Sequence, residues 1–87
     1  MKTIATPFAQ MTAAVPREIS QEVDLEFAVS NRIVELMQKH GLTKLELAQK
    51  LSKRPSEITK WLSGQHNFTL RTIALLSAFF GESLIRV

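Results

Sequence analysis

Residues 43–64, TKLELAQKLSKRPSEITKWLSG, carry the clearest signals of how this chain folds. The stretch begins with Thr43 and Glu46 at the spacing of a capping box, in which each side chain accepts a hydrogen bond from the other residue's backbone amide. Apolar residues then recur at helical spacing until a run of small and charged residues interrupts them. Pro55 cannot continue the first helix, but it fits the first turn of a new one. The stretch therefore predicts two short helices joined by about four residues.

Three glycines, Gly41, Gly64 and Gly81, each follow a stretch with helical periodicity. Glycine adopts the left-handed conformation that closes a helix without steric cost, so these residues predict three helix ends. Upstream of the first, apolar residues recur at helical spacing as far back as Ile19, which predicts a long helix. Thr69 is a suitable N-cap for the helix that ends at the third glycine.

These signals predict an all-α fold, a bundle of four to six helices with the helix-turn-helix at its centre. Residues 2–4 and 84–87 have β propensity and could pair as a short terminal ribbon. We expect residues 1–23 to form an N-terminal extension that makes a dimer or partner contact. Residues 24–87 are then the domain that contains the two short helices, and 87 residues amount to one small domain.

The positive charge of the chain is concentrated in its middle. The formal net charge is +3, yet residues 41–71 hold six basic against two acidic side chains, whereas residues 1–40 hold four basic against five acidic ones. A concentrated basic stretch is typical of a surface that binds a polyanion. A basic face that is merely solvated fits the charge equally well.

The residue types exclude several classes of function. With no cysteine in the sequence, a disulfide, a thiolate metal site and a cysteine nucleophile are ruled out. His40 and His66 lie far apart, and neither a Gly-rich phosphate loop nor a catalytic triad pattern occurs, so we expect no metal, no cofactor and no enzyme activity. No apolar run reaches the roughly 18 residues of a membrane span, and polar residues interrupt residues 1–15, so we expect a cytoplasmic protein.

Residues 42–81 resemble the helix-turn-helix of the Cro/repressor-like family, also called the Xre family. The matching features stand in the family's order and spacing: Leu42-Thr43, Glu46-Leu47-Ala48, Leu51, Ile58, Trp61, Gly64, Thr69-Leu70 and the stretch from Leu76 to Gly81. The resemblance implies binding to double-stranded DNA, with the helix that starts near Pro55 lying in the major groove. We expect Trp61 to lie in the core.

Four side chains near the start of that helix could address base edges: Arg54, Ser56, Thr59 and Lys60. They project together because they lie at the helix start and one turn later, and the two cations suit the acceptors of guanine. Six more residues are expected to contact DNA phosphates: Lys44, Lys53, Gln65, His66, Asn67 and Arg71. Lys44 stands where the family usually has a glutamine at the start of the preceding helix, and from there it can reach a phosphate.

Three positions of the second helix depart from the family's pattern or leave alternatives open. Pro55 occupies a position where relatives often carry a base-reading side chain, so that contact is absent. Leu62 replaces a residue that is usually acidic, and it either packs against the N-terminal extension or faces a partner. Glu57 could accept a hydrogen bond from a cytosine amino group or pair with Lys53 or Lys60.

Small Xre-type proteins of this build resemble the antitoxins of toxin–antitoxin pairs, which repress their own operon and bind a toxic enzyme. The resemblance therefore implies a transcriptional repressor with a small protein toxin as a candidate partner. Two alternatives stay open. One is an Xre regulator without a toxin partner, and the other is a protein- or RNA-interaction module that uses the same fold.

We expect a homodimer on a pseudo-palindromic operator, because one recognition helix touches too few base pairs for useful specificity. The favoured contact is a C-terminal apolar set, Phe79, Phe80, Leu84 and Ile85. The two adjacent phenylalanines cannot both face the core, so one is available to a second subunit or packs under residues 1–15 of its own chain. The alternative contact is the apolar set of the N-terminal extension, Ile4, Phe8, Met11 and Val15.

Overall fold

The computed structural model describes residues 16–85, and this part of the chain contains four helices and no strand. The helices are α1 (Arg17–His40), α2 (Lys44–Leu51), α3 (Pro55–Trp61) and α4 (Leu70–Phe80). The all-α prediction is confirmed. The terminal ribbon is not formed by Leu84 and Ile85, which lie in a bend after α4, and residues 2–4 and 86–87 fall outside the described range. No helix of residues 16–85 has the length and apolar character that crossing a membrane requires.

Capping geometry confirms the predicted starts of α2 and α4 and the predicted helix end at Gly81. The hydroxyl of Thr43 accepts a hydrogen bond from the Glu46 amide at 3.1 Å, and the Thr43 amide donates to the Glu46 carboxylate at 2.9 Å. Because the carboxylate accepts this backbone hydrogen bond, the pKa of Glu46 lies below its usual range. At the start of α4, the Thr69 hydroxyl accepts from the Thr72 amide at 3.1 Å. Gly81 closes that helix with a left-handed φ of 70°.

The core takes residues from all four helices and from the bend that follows them. Its buried apolar side chains are Val29, Ile33, Leu36 and Met37 of α1, Leu47 and Ala48 of α2, Ile58 and Trp61 of α3, Leu76 and Phe80 of α4, and Leu84. Trp61 is 4% exposed, which confirms its predicted place in the core. The adjacent phenylalanines divide as expected, because Phe80 is 5% exposed and Phe79 is 36% exposed.

The end of α3 is held by a buried serine of α1. The sequence predicts that this helix continues to Gly64, whereas it ends at Trp61. The hydroxyl of Ser30, which is 2% exposed, donates to the Trp61 carbonyl at 2.6 Å and accepts from the Gly64 amide at 3.2 Å. One side chain thus satisfies two backbone groups that a buried helix end would otherwise leave without partners.

Gly64 lets the chain leave α3 close to the surface of α1. Its φ is +82°, and a Cβ atom built on it would lie 2.5 Å from the Cε1 atom of Phe27. A larger residue would therefore be strained in its backbone and would displace the phenylalanine ring. Together, Ser30, Phe27 and Gly64 fix the C-terminal end of α3 against α1.

The first half of α1 extends the helix beyond the core. The helix is 24 residues long, as its periodicity predicts, and its buried residues begin at Val29. Ile19, Val23, Leu25 and Phe27 are exposed. The predicted boundary between residues 23 and 24 falls inside this continuous helix.

Glu82 ties the bend after α4 back to α1. Its carboxylate lies 2.7 Å from the Lys39 Nζ atom and 3.3 Å from the Arg32 Nη2 atom, and the His40 Nε2 atom lies 3.9 Å away. The hydrogen bond from Lys39 and the positive charges of Lys39 and Arg32 lower the pKa of Glu82 below its usual range. This cluster places Leu84 where it can close the core.

We expect Ser30→Ala to lower the free energy of unfolding by about 1–3 kcal/mol, because it leaves the Trp61 carbonyl and the Gly64 amide buried without a partner. Chemical denaturation followed by circular dichroism measures the change. Ser20→Ala is the matched control, since Ser20 is exposed on the same helix, and its effect should stay within about 0.5 kcal/mol. Equal unfolding curves for the two variants would show that Ser30 does not hold α3.

The Glu82 cluster also predicts a dependence of stability on pH. A carboxylate whose pKa is lowered in the folded state stabilises the fold fully above its unfolded value, which is near 4.5, and the stabilisation is lost as pH falls through the lower folded-state pKa. Glu82→Gln should therefore melt below the wild type at pH 7, and the difference should vanish in strong acid. A difference in melting temperature that is the same at pH 7 and in strong acid would refute the ionic origin.

Candidate nucleic-acid interface

The turn between α2 and α3 sets the angle at which α3 is presented. Ser52 closes α2 in the left-handed region with a φ of 56°. Its amide bonds to the Gln49 carbonyl at 3.2 Å, and the Lys53 amide bonds to the Ala48 carbonyl at 2.8 Å. Leu47 of α2 and Ile58 of α3 are fully buried, so the two short helices share one core. This arrangement is a helix-turn-helix.

The structure brings the predicted base-reading residues to the exposed side of α3. Arg54 is the N-cap of the helix, and all four of these residues are exposed. Ser56, Thr59 and Lys60 stand three and four positions apart, which places them on one face of the helix. Pro55 begins the helix at its first position, as predicted.

Glu57 has a role that neither sequence alternative anticipated. Its carboxylate accepts a hydrogen bond from the Arg54 backbone amide at 3.1 Å, so it caps the N-terminus of α3 by the same geometry that Glu46 uses at α2. A carboxylate at this end also interacts favourably with the helix dipole. Glu57 therefore binds the first turn of its own helix, and it fixes the backbone of Arg54.

Lys44 and Thr59 meet across the two helices. The Lys44 Nζ atom donates to the Thr59 hydroxyl at 3.2 Å, and that hydroxyl donates to the Pro55 carbonyl at 3.2 Å. A residue predicted to contact phosphate is therefore joined to one predicted to read bases. The hydroxyl proton of Thr59 is already donated to its own helix. At this surface the hydroxyl can therefore only accept hydrogen bonds.

The predicted phosphate contacts occupy more than one place. Lys53 and His66 line a single cleft of about 190 Å³ between α3 and α4, which Lys60, a predicted base-reading residue, also lines. The ring of His66 is held by an edge-on contact with Phe68 at 4.8 Å. Asn67 lines a different, apolar groove instead. Gln65 and Arg71 are exposed beside these features.

The cations of this surface are free of ion pairs inside the described part of the chain. Every ion pair between residues 16 and 85 involves Arg32 or Glu82. The two acids of the basic stretch, Glu46 and Glu57, are instead used as helix caps. Positive side chains that face solvent and form no ion pair are available to phosphate groups.

Ser30 is the functional residue that sequence analysis missed. Its hydroxyl fixes the end of α3, the helix that is predicted to read bases. The available signal was a polar residue between Val29 and Ile33, within the apolar stripe of α1. A serine at such a position can equally face solvent, so the stripe alone does not reveal its partners.

The fold is that of a helix-turn-helix protein. A family model described as helix-turn-helix matches residues 33–86, which is more than half of the chain. The chain therefore belongs to this family, the helix-turn-helix proteins of the Cro/Xre type, and it is a DNA-binding transcription regulator. No curated protein and no solved structure matches the chain.

Two substitutions should separate base reading from phosphate binding. Arg54→Ala should reduce affinity for a specific site by about 1–3 kcal/mol and relax the preference at one base pair. Lys44→Ala should weaken binding to all duplexes alike and flatten the slope of log affinity against log salt by about one unit, because it neutralises one phosphate fewer. Fluorescence anisotropy on specific and random duplexes measures both effects. Equal reductions on both duplexes for Arg54→Ala would contradict its assignment to a base.

Proposed function

We propose that the chain is a dimeric repressor that binds a pseudo-palindromic operator through α3. The observation that carries the proposal is the exposed face of α3, flanked by cations that form no ion pair within residues 16–85. Arg54 and Lys60 would donate hydrogen bonds to the acceptors of guanine. The Ser56 hydroxyl can either donate or accept, so it would hydrogen-bond to a base edge without selecting one base. Lys44, and Lys53 in the α3–α4 cleft, would hold the phosphates on either side.

Specificity supports a dimer. One recognition helix contacts only a few base pairs, and a genome offers very many competing sites. A symmetric pair would place two copies of α3 in successive major grooves about 34 Å apart. Phe80 and Leu84 are buried in the core, so Phe79 is the most exposed residue of the predicted C-terminal contact.

We further propose that the chain is an antitoxin, which represses its own operon and neutralises a protein toxin. Support comes from the small Xre-type build and from the first half of α1. That half lies outside the residues that the family model matches, and it exposes Ile19, Val23, Leu25 and Phe27. An exposed apolar surface apart from the DNA-binding face suits a protein partner.

The operator hypothesis is tested with the DNA upstream of the chain's own reading frame. Footprinting should show a protected pseudo-palindrome, and affinity there should exceed affinity for random DNA by about a thousandfold or more. Equal affinity for the two duplexes would refute self-repression. Loss of toxicity when an adjacent toxic gene is co-expressed with this chain tests the antitoxin role, and unchanged toxicity counts against it.

The dimer contact is tested by charge. Phe79→Glu should leave a folded monomer in light scattering at micromolar concentration, because the exposed ring is replaced without opening the core. Its operator affinity should fall by at least about tenfold, since two half-sites are no longer bound together. Ala74→Glu, which adds the same charge at another exposed position of α4, should remain dimeric. A Phe79→Glu variant that stays dimeric would refute this contact.

A further inference from the structure

A second surface lies between the first half of α1 and the start of α4. It is a groove of about 230 Å³ whose walls include Leu25, Leu70, Ile73 and Ile85, with Glu22 and Glu26 at its edge. None of the four predicted base-reading residues lines it, and of the six predicted phosphate contacts Asn67 alone does. Small-molecule sites usually measure roughly 300–1,000 Å³, so the groove suits inserted side chains better than a whole ligand.

The rim of the groove is unusually apolar for a free surface. Leu25 is 59% exposed and Leu70 is 79% exposed, and both border the same cavity. A single exposed leucine is ordinary, but two large exposed leucines around one apolar groove mark a site of association. The DNA-binding face does not account for them, because phosphates and base edges offer little to leucine side chains.

The charge of the groove indicates the kind of partner. Glu22 and Glu26 are one helical turn apart, and residues 17–26 contain four acids, Glu18, Glu22, Asp24 and Glu26, against one arginine. DNA would be repelled from this acidic edge. A second copy would bring the same acidic helix, and like charges facing each other are unfavourable. A basic partner meets no such repulsion.

We propose that this groove binds a basic amphipathic helix of a partner protein. The apolar side of that helix would pack between Leu25 and Leu70, and its lysines or arginines would pair with Glu22 and Glu26. The inference rests on the protein-partner half of the proposed function and gives that partner a docking surface and a chemistry. It does not depend on the DNA-binding half.

The probe is a labelled synthetic peptide of about 18 residues, five helical turns, with leucines on one face and lysines elsewhere. Fluorescence anisotropy with the full chain should show saturable binding. Leu70→Ser and Glu22→Lys should each weaken it by about tenfold, because one removes apolar contact and the other reverses a charge at the edge. Asp24→Lys is the matched control, since Asp24 is an exposed acid of the same helix that does not line the groove, and it should change affinity by less than about twofold.

Several outcomes would overturn the inference. They are a full chain that fails to bind the peptide, equal reductions for Glu22→Lys and Asp24→Lys, and equal binding of a peptide with glutamates in place of the lysines. A Leu70→Ser variant that turns a dimer into a monomer and leaves peptide binding intact would assign the groove to a second copy instead.

DNA binding is measured on the same samples. Peptide binding without DNA binding would refute the operator proposal alone, and DNA binding without peptide binding would refute the groove alone.

Discussion

The contact between Ser30 and the end of α3 is the interaction on which the position of α3 depends. A helix of seven residues is far shorter than the roughly 12–15 residues at which an isolated helix becomes even marginally stable. It must therefore be held at both ends by the rest of the protein. Ser30 holds the C-terminal end through the Trp61 carbonyl and the Gly64 amide. Glu57 and Pro55, the first residue of α3, hold the N-terminal end of the helix.

Helix capping also governs the distribution of charge. The two acids of the basic stretch are engaged in helix caps, so they strengthen α2 and α3 without pairing with the exposed lysines and arginines. Other acidic side chains lie away from this cationic surface. Glu82 is in the bend after α4, and four acids lie along the first half of α1. The chain thus separates a cationic surface for a polyanion from an acidic, apolar surface on a different part of the bundle.

Local signals made much of the fold predictable from the sequence. The capping box of Thr43 and Glu46, the closing glycines and the proline at the start of α3 act through neighbours in sequence, so their residue types reveal them. The long first helix and the buried Trp61 followed from periodicity. Three of the predicted base-reading residues, Ser56, Thr59 and Lys60, share one face of α3 for the same reason, and Arg54 is its N-cap.

Contacts between residues distant in sequence could not be predicted in this way. The partners of Ser30 lie 31 and 34 residues away. The residues next to Ser30 in sequence do not indicate which groups it bonds to. The hydrogen bond between Lys44 and Thr59 depends on the angle between two helices. Periodicity also failed to show that Asn67 lines a different groove from Lys53 and His66, because the course of a loop is set by packing.

The most direct measurement is the salt dependence of the wild-type chain's affinity for duplex DNA. Three of the predicted phosphate contacts are cations, Lys44, Lys53 and Arg71, and a dimer would present six. Each neutralised phosphate contributes about −0.9 to the slope of log affinity against log salt, so a slope of about −5 is expected. A slope shallower than about −1 would show that the cationic surface is only solvated, and it would contradict DNA binding through α2 and α3.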